Sequence, residues 1–148
     1  MESFSVAVPP EIPVALLVDL ATGQHLFARE IHRRFMPASV TKVMTAYTAY
    51  NLMGEGRVSP GRRFQISQEL EDEWSGEGSS MFLKAGQQPT FGELLLGATT
   101  VSGNDACVAL ALASVGSLQA WTQEMNRNAA NLGMRDTHFG SANGFPDE

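Results

Sequence analysis

A serine and a lysine three positions apart, Ser39 and Lys42, are the strongest candidates for chemistry in this sequence. In a helix this spacing places the hydroxyl and the amine on one face, close enough to hydrogen-bond. A serine hydroxyl is a weak nucleophile until a neighbouring base removes its proton. A lysine is protonated at neutral pH, with a pKa of about 10.4, unless burial or a helix N-terminus lowers that pKa. The pair therefore predicts a nucleophilic serine whose base is a buried lysine.

The residues around this pair are of the kind that can bury an amine. We expect Met36, Val40, Val43 and Met44 to form an apolar wall around Lys42. The pattern S-x-x-K is not specific by itself, because it arises by chance in roughly half of the chains of this length. The alternative is a serine that caps the helix, followed by a surface lysine in the first turn.

A second polar turn, Ser102-Gly103-Asn104, lies between two predicted helices. A tight turn at this place can hold the Ser102 hydroxyl and the Asn104 amide towards a cleft. The hydroxyl can pass a proton from Lys42 to a leaving amine, and the amide can hold a peptide group of a substrate. The alternative is a helix cap with a glycine turn, which has the same composition.

The elements that must position these residues are two strands followed by a helical block. Residues 14–20 and 25–28, joined by turn residues, predict a β-hairpin whose first strand is covered on both faces. A short strand is predicted at residues 64–66. Helices are predicted at residues 39–53, 91–100, 105–113 and 118–132, the first of them buried around most of its circumference.

Composition excludes several classes of function. The chain has 10 Lys and Arg against 16 Asp and Glu, a net charge of -6, which argues against a nucleic-acid partner. The single cysteine, Cys107, excludes an internal disulfide and is expected to be a small buried apolar residue. His25, His32 and His138 are scattered, without a paired cysteine or acidic residue, so no metal site is predicted.

The sequence shows no membrane segment and no export signal. No stretch reaches the length of a membrane span, and no membrane anchor is visible. Residues 1–10 have neither the cationic nor the apolar region of a signal peptide. If the protein works outside the cytoplasm, we expect its export signal to have been removed from this sequence or never included in it.

Three segments together resemble one family. Residues 37–45, Pro-Ala-Ser-Val-Thr-Lys-Val-Met-Thr, resemble the first motif of the serine-type D-Ala-D-Ala carboxypeptidases, the low-molecular-weight penicillin-binding proteins of peptidase family S11. Residues 101–106, Val-Ser-Gly-Asn-Asp-Ala, resemble their second motif, S-x-N. Residues 143–147 are similar to a segment that borders the family's active site. The chain is thereby identified as the N-terminal portion of such a protein, with a resemblance that begins near residue 13.

This resemblance implies an α+β fold of the β-lactamase/transpeptidase type. In that fold a helical subdomain packs on an antiparallel sheet, of which only the first hairpin is evident in this sequence. We expect residues 1–148 to form a single incomplete transpeptidase-like domain. Its parts are N-terminal strands within residues 13–29, a helical block at residues 39–133 and a loop bordering the active site at residues 137–148.

The resemblance also implies roles for the candidate residues. Ser39 is the acylated nucleophile, and its backbone N–H is one oxyanion donor; Lys42 is the general base. Ser102 is a proton relay, and Asn104 is a ligand for the substrate's amide and for Lys42. The family removes D-alanine from peptidoglycan stem peptides in the periplasm or otherwise outside the cytoplasm, in cell-wall synthesis and the control of cell shape. It needs no metal or organic cofactor, and β-lactam antibiotics inhibit it.

One family motif is missing from the sequence. Lysine occurs only at positions 42 and 84, so there is no K-T-G, and Lys84-Ala85-Gly86 precedes the S-G-N turn instead of following it. In the family this motif supplies the second oxyanion donor and binds the substrate carboxylate. We therefore expect the sequence to stop before the motif, and the 148 residues alone to be acylated slowly or not at all. The alternatives are a non-catalytic protein that holds peptidoglycan or a partner in the same cleft, and a β-lactamase.

Overall fold

The computed structural model describes residues 7–146, and the elements within them confirm the α+β class. Residues 1–6, from the stretch without signal-peptide character, and residues 147 and 148 of the predicted border loop lie outside the described residues. The chain forms two compact units, which divide after Met36. The assignment of the whole chain to one domain stays a prediction. In the described part of the chain no helix is both long and apolar enough to cross a membrane.

The N-terminal unit contains the predicted hairpin. Strand β1, Ala15–Val18, pairs antiparallel with strand β2, His25–Arg29. Asp19 holds the turn, because its carboxylate accepts hydrogen bonds from the backbone N–H of Ala21, at 2.9 Å, and from the hydroxyl of Thr22, at 2.7 Å. The turn residues that predicted this hairpin thus form it through local contacts.

The first strand is more exposed than the sequence predicts. Leu16 and Leu17 are 52% and 43% exposed, so the prediction of a strand covered on both faces was wrong for the residues described. The physical reason is that a sheet of two strands covers little of its own surface. The hairpin is instead tied to the segment that precedes β1. The guanidinium of Arg29, in β2, donates to the carbonyl oxygens of Pro9 and Ile12 in that segment, at 2.7 and 2.8 Å.

The second unit is the helical block. A 3-10 turn, Ala38–Val40, leads into helix α1, Thr41–Gly54. The other helices are α2 (Gln68–Trp74), α3 (Phe91–Thr100), α4 (Asn104–Val115) and α5 (Leu118–Asn131). The four predicted helices are confirmed. Helix α2, within an acidic run that the sequence left unassigned, is capped by Ser67, whose side chain accepts from the N–H of Leu70.

Helix α4 lies at the centre of this block and contacts the four other helices. Every residue from 104 to 111 is buried, and most of those side chains are small. Small side chains allow neighbouring helices to approach closely, so that large residues from those helices fill the space around α4. The largest fully buried side chains include Trp121, Phe91, Leu52, Leu94 and Met125. The start of this central helix is therefore enclosed by the packed side chains of its neighbours.

Two expectations about the helical block were wrong. Residues 64–66 form no strand, although Phe64 and Ile66 donate backbone hydrogen bonds to the carbonyl oxygens of Pro89 and Gln87. Pro89 has no N–H to return a bond to Phe64, so the backbone ladder is interrupted there and only an isolated bridge, Arg63 with Thr90, remains. Helix α1 is buried on one side only: apolar side chains at positions 40, 43, 47 and 50 are between 39% and 70% exposed.

Candidate active site

Ser39 and Lys42 meet at the start of α1, as the spacing predicts. The Lys42 amine nitrogen lies 2.9 Å from Ser39 Oγ. Ser39 belongs to the 3-10 turn, and the residue at the N-cap of α1 is Val40, with no side-chain capping bond. The alternative of a capping serine with a surface lysine is therefore wrong for this structure, because Lys42 is only 5% exposed.

The residues that bury Lys42 are not the ones that the sequence predicted. Met36, Val40 and Val43 are 66–70% exposed, so only Met44 of the predicted apolar wall is buried. The Lys42 side chain extends into the helical block, where it hydrogen-bonds to the loop before Pro146 and lies near Cys107 of α4. Neighbours in sequence could not reveal this, because residues one or two positions away on a helix, such as Val43 and Val40, face a different side from Lys42.

The surroundings of Lys42 favour its uncharged form. Burial lowers the pKa of Lys42 below its ordinary value of 10.5. A Cys107 thiolate would oppose this shift, but burial raises the pKa of Cys107 to about 12, so the thiol is neutral at physiological pH. Among the described residues no carboxylate forms an ion pair with Lys42. The positive end of the α1 dipole acts in the same direction as burial.

A backbone carbonyl orients the amine. Lys42 Nζ donates a hydrogen bond to the carbonyl oxygen of Asn143 at 2.9 Å. An uncharged amine that donates there still has its lone pair free for the Ser39 proton. The loop that carries this carbonyl is held by a second bond, because the Thr45 hydroxyl donates to the carbonyl oxygen of Ala142 at 2.5 Å. The Ser39 hydroxyl, the Lys42 amine and the Asn143 carbonyl thus form a hydrogen-bonded chain of three, an arrangement that can activate a serine.

Glycine at position 144 permits the close approach of this loop. Gly144 has a φ of +84°, and a Cβ atom there would lie 1.9 Å from the carbonyl oxygen of Ala38, the residue before Ser39. The sequence indicated only that residues 143–147 are similar to an active-site border. It did not predict the role of the Asn143 carbonyl, and the one local signal for it is the glycine that follows.

The Ser102–Asn104 turn lies at the start of α4. Ser102 has a φ of +57°, and Asn104 is 4% exposed. The Asn104 side-chain amide donates to the carbonyl oxygen of Glu77 at 2.9 Å, and its backbone N–H donates to the carbonyl oxygen of Ser79 at 2.7 Å. Within residues 7–146 neither Ser102 nor Asn104 hydrogen-bonds to Lys42. Their roles as proton relay and as substrate and lysine ligand stay predictions.

Metal ligands do not gather anywhere in the described ranges. No three His, Cys, Asp or Glu residues between positions 7 and 146 are placed to hold an ion. The groups at Ser39 are those that acyl transfer requires: a hydroxyl to attack, a buried amine to take its proton, and a backbone carbonyl to orient that amine.

The comparison with known proteins agrees with this chemistry. The family profile described as D-alanyl-D-alanine carboxypeptidase, Peptidase_S11, matches residues 7–148. The chain is 38% identical to the D-alanyl-D-alanine carboxypeptidase DacD of Escherichia coli over 145 residues, which cover 93% of this chain and 37% of the relative. It is 33% identical to DacF of Bacillus subtilis over 138 residues, which cover 93% of this chain and 35% of DacF. The chain thus spans about a third of the length of these curated relatives.

Solved structures show the same fold. The D-alanyl-D-alanine carboxypeptidase DacD from Francisella tularensis superposes with a TM-score of 0.88 at 32% identity, over 100% of this chain and 35% of that one. Penicillin-binding protein 6B from Escherichia coli superposes with a TM-score of 0.79 at 35% identity, over 93% of this chain and 45% of that one. From the profile match together with these likenesses, we conclude that the chain belongs to the D-alanyl-D-alanine carboxypeptidase family, peptidase S11.

Proposed function

We propose that the protein is a serine-type carboxypeptidase that removes the terminal D-alanine from peptidoglycan stem peptides. Ser39 Oγ attacks the carbonyl carbon of the penultimate D-alanine, and Lys42 takes the hydroxyl proton. The peptide C–N bond breaks, and the proton passes through Ser102 to the nitrogen of the departing D-alanine. Water then hydrolyses the ester on Ser39 and regenerates the hydroxyl. Asn104 holds the amide of the substrate.

The observation that carries this proposal is the position of the Lys42 amine. It is buried, 2.9 Å from Ser39 Oγ, and also 2.9 Å from a carbonyl oxygen that orients it. A surface lysine would be charged and unable to act as a base at neutral pH. Burial supplies what acyl transfer needs from this residue, since the desolvated amine favours its neutral form.

Family membership supports the substrate class and the place of action that we propose. Known members carry the name of their reaction, D-alanyl-D-alanine carboxypeptidase. The substrate we propose is therefore a peptide ending in D-Ala-D-Ala, which occurs in the bacterial cell wall, and the proposed site of action is the periplasm or another extracytoplasmic space. β-Lactam antibiotics are the proposed inhibitors, because they acylate the same oxygen.

A penicillin adduct tests the nucleophile directly. We expect the full-length gene product, incubated with benzylpenicillin, to gain the mass of one penicillin, and peptide mapping to place it on Ser39. Ser39→Ala should show no adduct, while Ser59→Ala, which alters an exposed serine of the same helical unit, should retain it. An adduct on a different residue, or none on the wild type, would refute the assignment.

Release of D-alanine tests the reaction. The gene product should liberate free D-alanine from a peptide ending in D-Ala-D-Ala, and Ser39→Ala should not. Binding of that peptide without release would instead support a non-catalytic protein of the same fold. Rapid hydrolysis of the penicillin adduct, in place of a long-lived one, would support a β-lactamase.

The rate of acylation should rise with pH. Only uncharged Lys42 can accept the Ser39 proton, and burial lowers the pKa of Lys42 below 10.5. The rate constant for acylation at saturating penicillin should therefore increase as pH rises and reach a plateau above the pKa of Lys42, with a midpoint below that of a free lysine. Stopped-flow acylation from about pH 5 to about pH 10 measures this. A rate that is constant or falls across the range would contradict Lys42 as the base.

A further inference from the structure

A buried carboxylate that the proposed reaction does not use lies one residue after the Ser102–Asn104 turn. Asp105 is fully buried, and its two oxygens accept four hydrogen bonds. Oδ1 accepts from the backbone N–H of Met81 and of Ala106, each at 2.9 Å. Oδ2 accepts from the Ser80 hydroxyl at 2.7 Å and from the N–H of Leu83 at 3.0 Å. These donors compensate a charge that would otherwise be costly to bury.

Three of the four donors belong to one loop, residues 76–83. The same loop accepts the two hydrogen bonds from Asn104, at the carbonyl oxygens of Glu77 and Ser79. The Ser80 hydroxyl oxygen also accepts from the backbone N–H of Gly76 at 3.0 Å, inside the loop. The loop is therefore fastened to the first two residues of α4 by five bonds, of which Asp105 makes three.

The backbone on both sides of this contact is strained. Ser102 and Phe82 have φ values of +57° and +56°, a region that side chains with a Cβ rarely adopt. Such conformations persist only where the surrounding contacts determine them. Met81 and Leu83, on either side of Phe82, both donate to Asp105, and Asn104, two residues after Ser102, is bonded to the same loop. These bonds are the contacts that hold the backbone at the two strained positions.

We propose that Asp105 is a positioning residue, which sets the orientation of Ser102 and Asn104 by fixing the loop of residues 76–83 to the start of α4. This inference rests on the proposed function, because Asp105 matters for catalysis only if Ser102 and Asn104 have the roles proposed for them. Asp105 does not touch the substrate in this proposal. A carboxylate is required there because asparagine has the same shape but only one acceptor oxygen. In Asp105→Asn the NH₂ group would face two of the four donors and could not accept their hydrogen bonds.

The variant Asp105→Asn tests the proposal in the full-length gene product. The rate constant of acylation by a saturating fluorescent penicillin is measured by stopped flow, and the fraction of molecules that become labelled is measured separately. We expect the rate constant of the labelled molecules to fall about 10- to 100-fold, since small misplacements of catalytic groups have effects of this size. A purely structural role would lower the labelled fraction and leave the rate constant unchanged, which would overturn the proposal.

A second buried carboxylate provides the matched control. Glu124 on α5 is 8% exposed and pairs with Arg57 and Arg127, away from the turn. Glu124→Gln should lower the melting temperature and leave the acylation rate constant unchanged. If it slows acylation as much as Asp105→Asn does, the effect of Asp105 is general destabilisation and the proposal fails.

A milder variant covers the case in which Asp105→Asn does not fold. Ser80→Ala removes one donor and should lower the acylation rate constant about two- to tenfold, the factor that one hydrogen bond is typically worth. An unchanged rate constant in Ser80→Ala would count against the proposal. Failure of the wild type to form any adduct would refute the proposed function, whereas an acylated wild type with unaffected variants would refute only the role of Asp105.

Discussion

Lys42→Met is expected to lower the rate constant for acylation of Ser39 by about 10²- to 10⁴-fold, the usual contribution of a general base. Methionine has a similar length and no basic nitrogen, so the variant removes the proton acceptor and keeps most of the packing. Stopped-flow acylation with a saturating penicillin measures the effect. Far-ultraviolet circular dichroism and the melting temperature verify that the variant is folded.

The pH profile separates the role of base from the role of packing. In the wild type the acylation rate should rise with pH as Lys42 loses its proton, and in Lys42→Met this rise should disappear. A variant that is slow but keeps the wild-type pH profile would show that another group accepts the Ser39 proton. That outcome would contradict the mechanism even though the rate had fallen.

The other lysine of the chain provides a matched control. Lys84 is exposed and pairs with Glu71 at 3.1 Å on the surface. Lys84→Met should leave the acylation rate constant unchanged and alter the free energy of unfolding by at most about 1 kcal/mol, as is typical of surface ion pairs. If Lys84→Met slowed acylation as much as Lys42→Met, a special role for the buried lysine would be contradicted.

Gly144→Ala is expected to destabilise the protein by about 2–5 kcal/mol and to slow acylation about 100-fold. Two causes add in the folded state. The φ of +84° is unfavourable for alanine, and the new Cβ would lie 1.9 Å from the carbonyl oxygen of Ala38, a backbone atom that cannot turn aside. The loop must then move away, and the Asn143 carbonyl moves with it and no longer orients the Lys42 amine.

A second glycine isolates the effect of the clash. Gly116 has a φ of +83°, nearly that of Gly144, but a Cβ there would meet no atom within 4 Å. Gly116→Ala should therefore cost only the backbone strain, about 1–2 kcal/mol, and leave acylation unchanged. Equilibrium unfolding in urea gives the two free energies. Equal losses in the two variants would show that the approach of Gly144 to Ala38 is not a tight contact.

Together these variants distinguish the two residues that we propose to react, Ser39 and Lys42, from the groups that hold them in position. Ser39 and Lys42 belong to one helical turn, while the group that orients Lys42 comes from a loop 101 residues further along the chain. A defect in either part should lower the same rate constant, but only loss of Lys42 should abolish its pH dependence. The pH profile can therefore distinguish the residues that position Lys42 from Lys42 itself.

The local elements could be predicted because their signals are local. Thr90 and Glu93 form a capping box at the start of α3, and Gly133, with a φ of +76°, follows the end of α5. Turn residues around Asp19 predicted the hairpin. The missing strand near Phe64 shows the limit of such signals, since its failure depends on a proline in the partner segment, at position 89.

The sequence by itself determined which residues can react. The spacing of Ser39 and Lys42 places the hydroxyl and the amine within reach of each other, and the motifs identified the family. Only the tertiary structure decided whether Lys42 is buried, as the proposed base must be, because burial depends on distant packing. The apolar neighbours at positions 36, 40 and 43 are exposed, and the loop at Asn143 and helix α4 bury the amine instead. Long-range contacts of this kind leave no periodic pattern in the sequence, so they could be found only in the folded molecule.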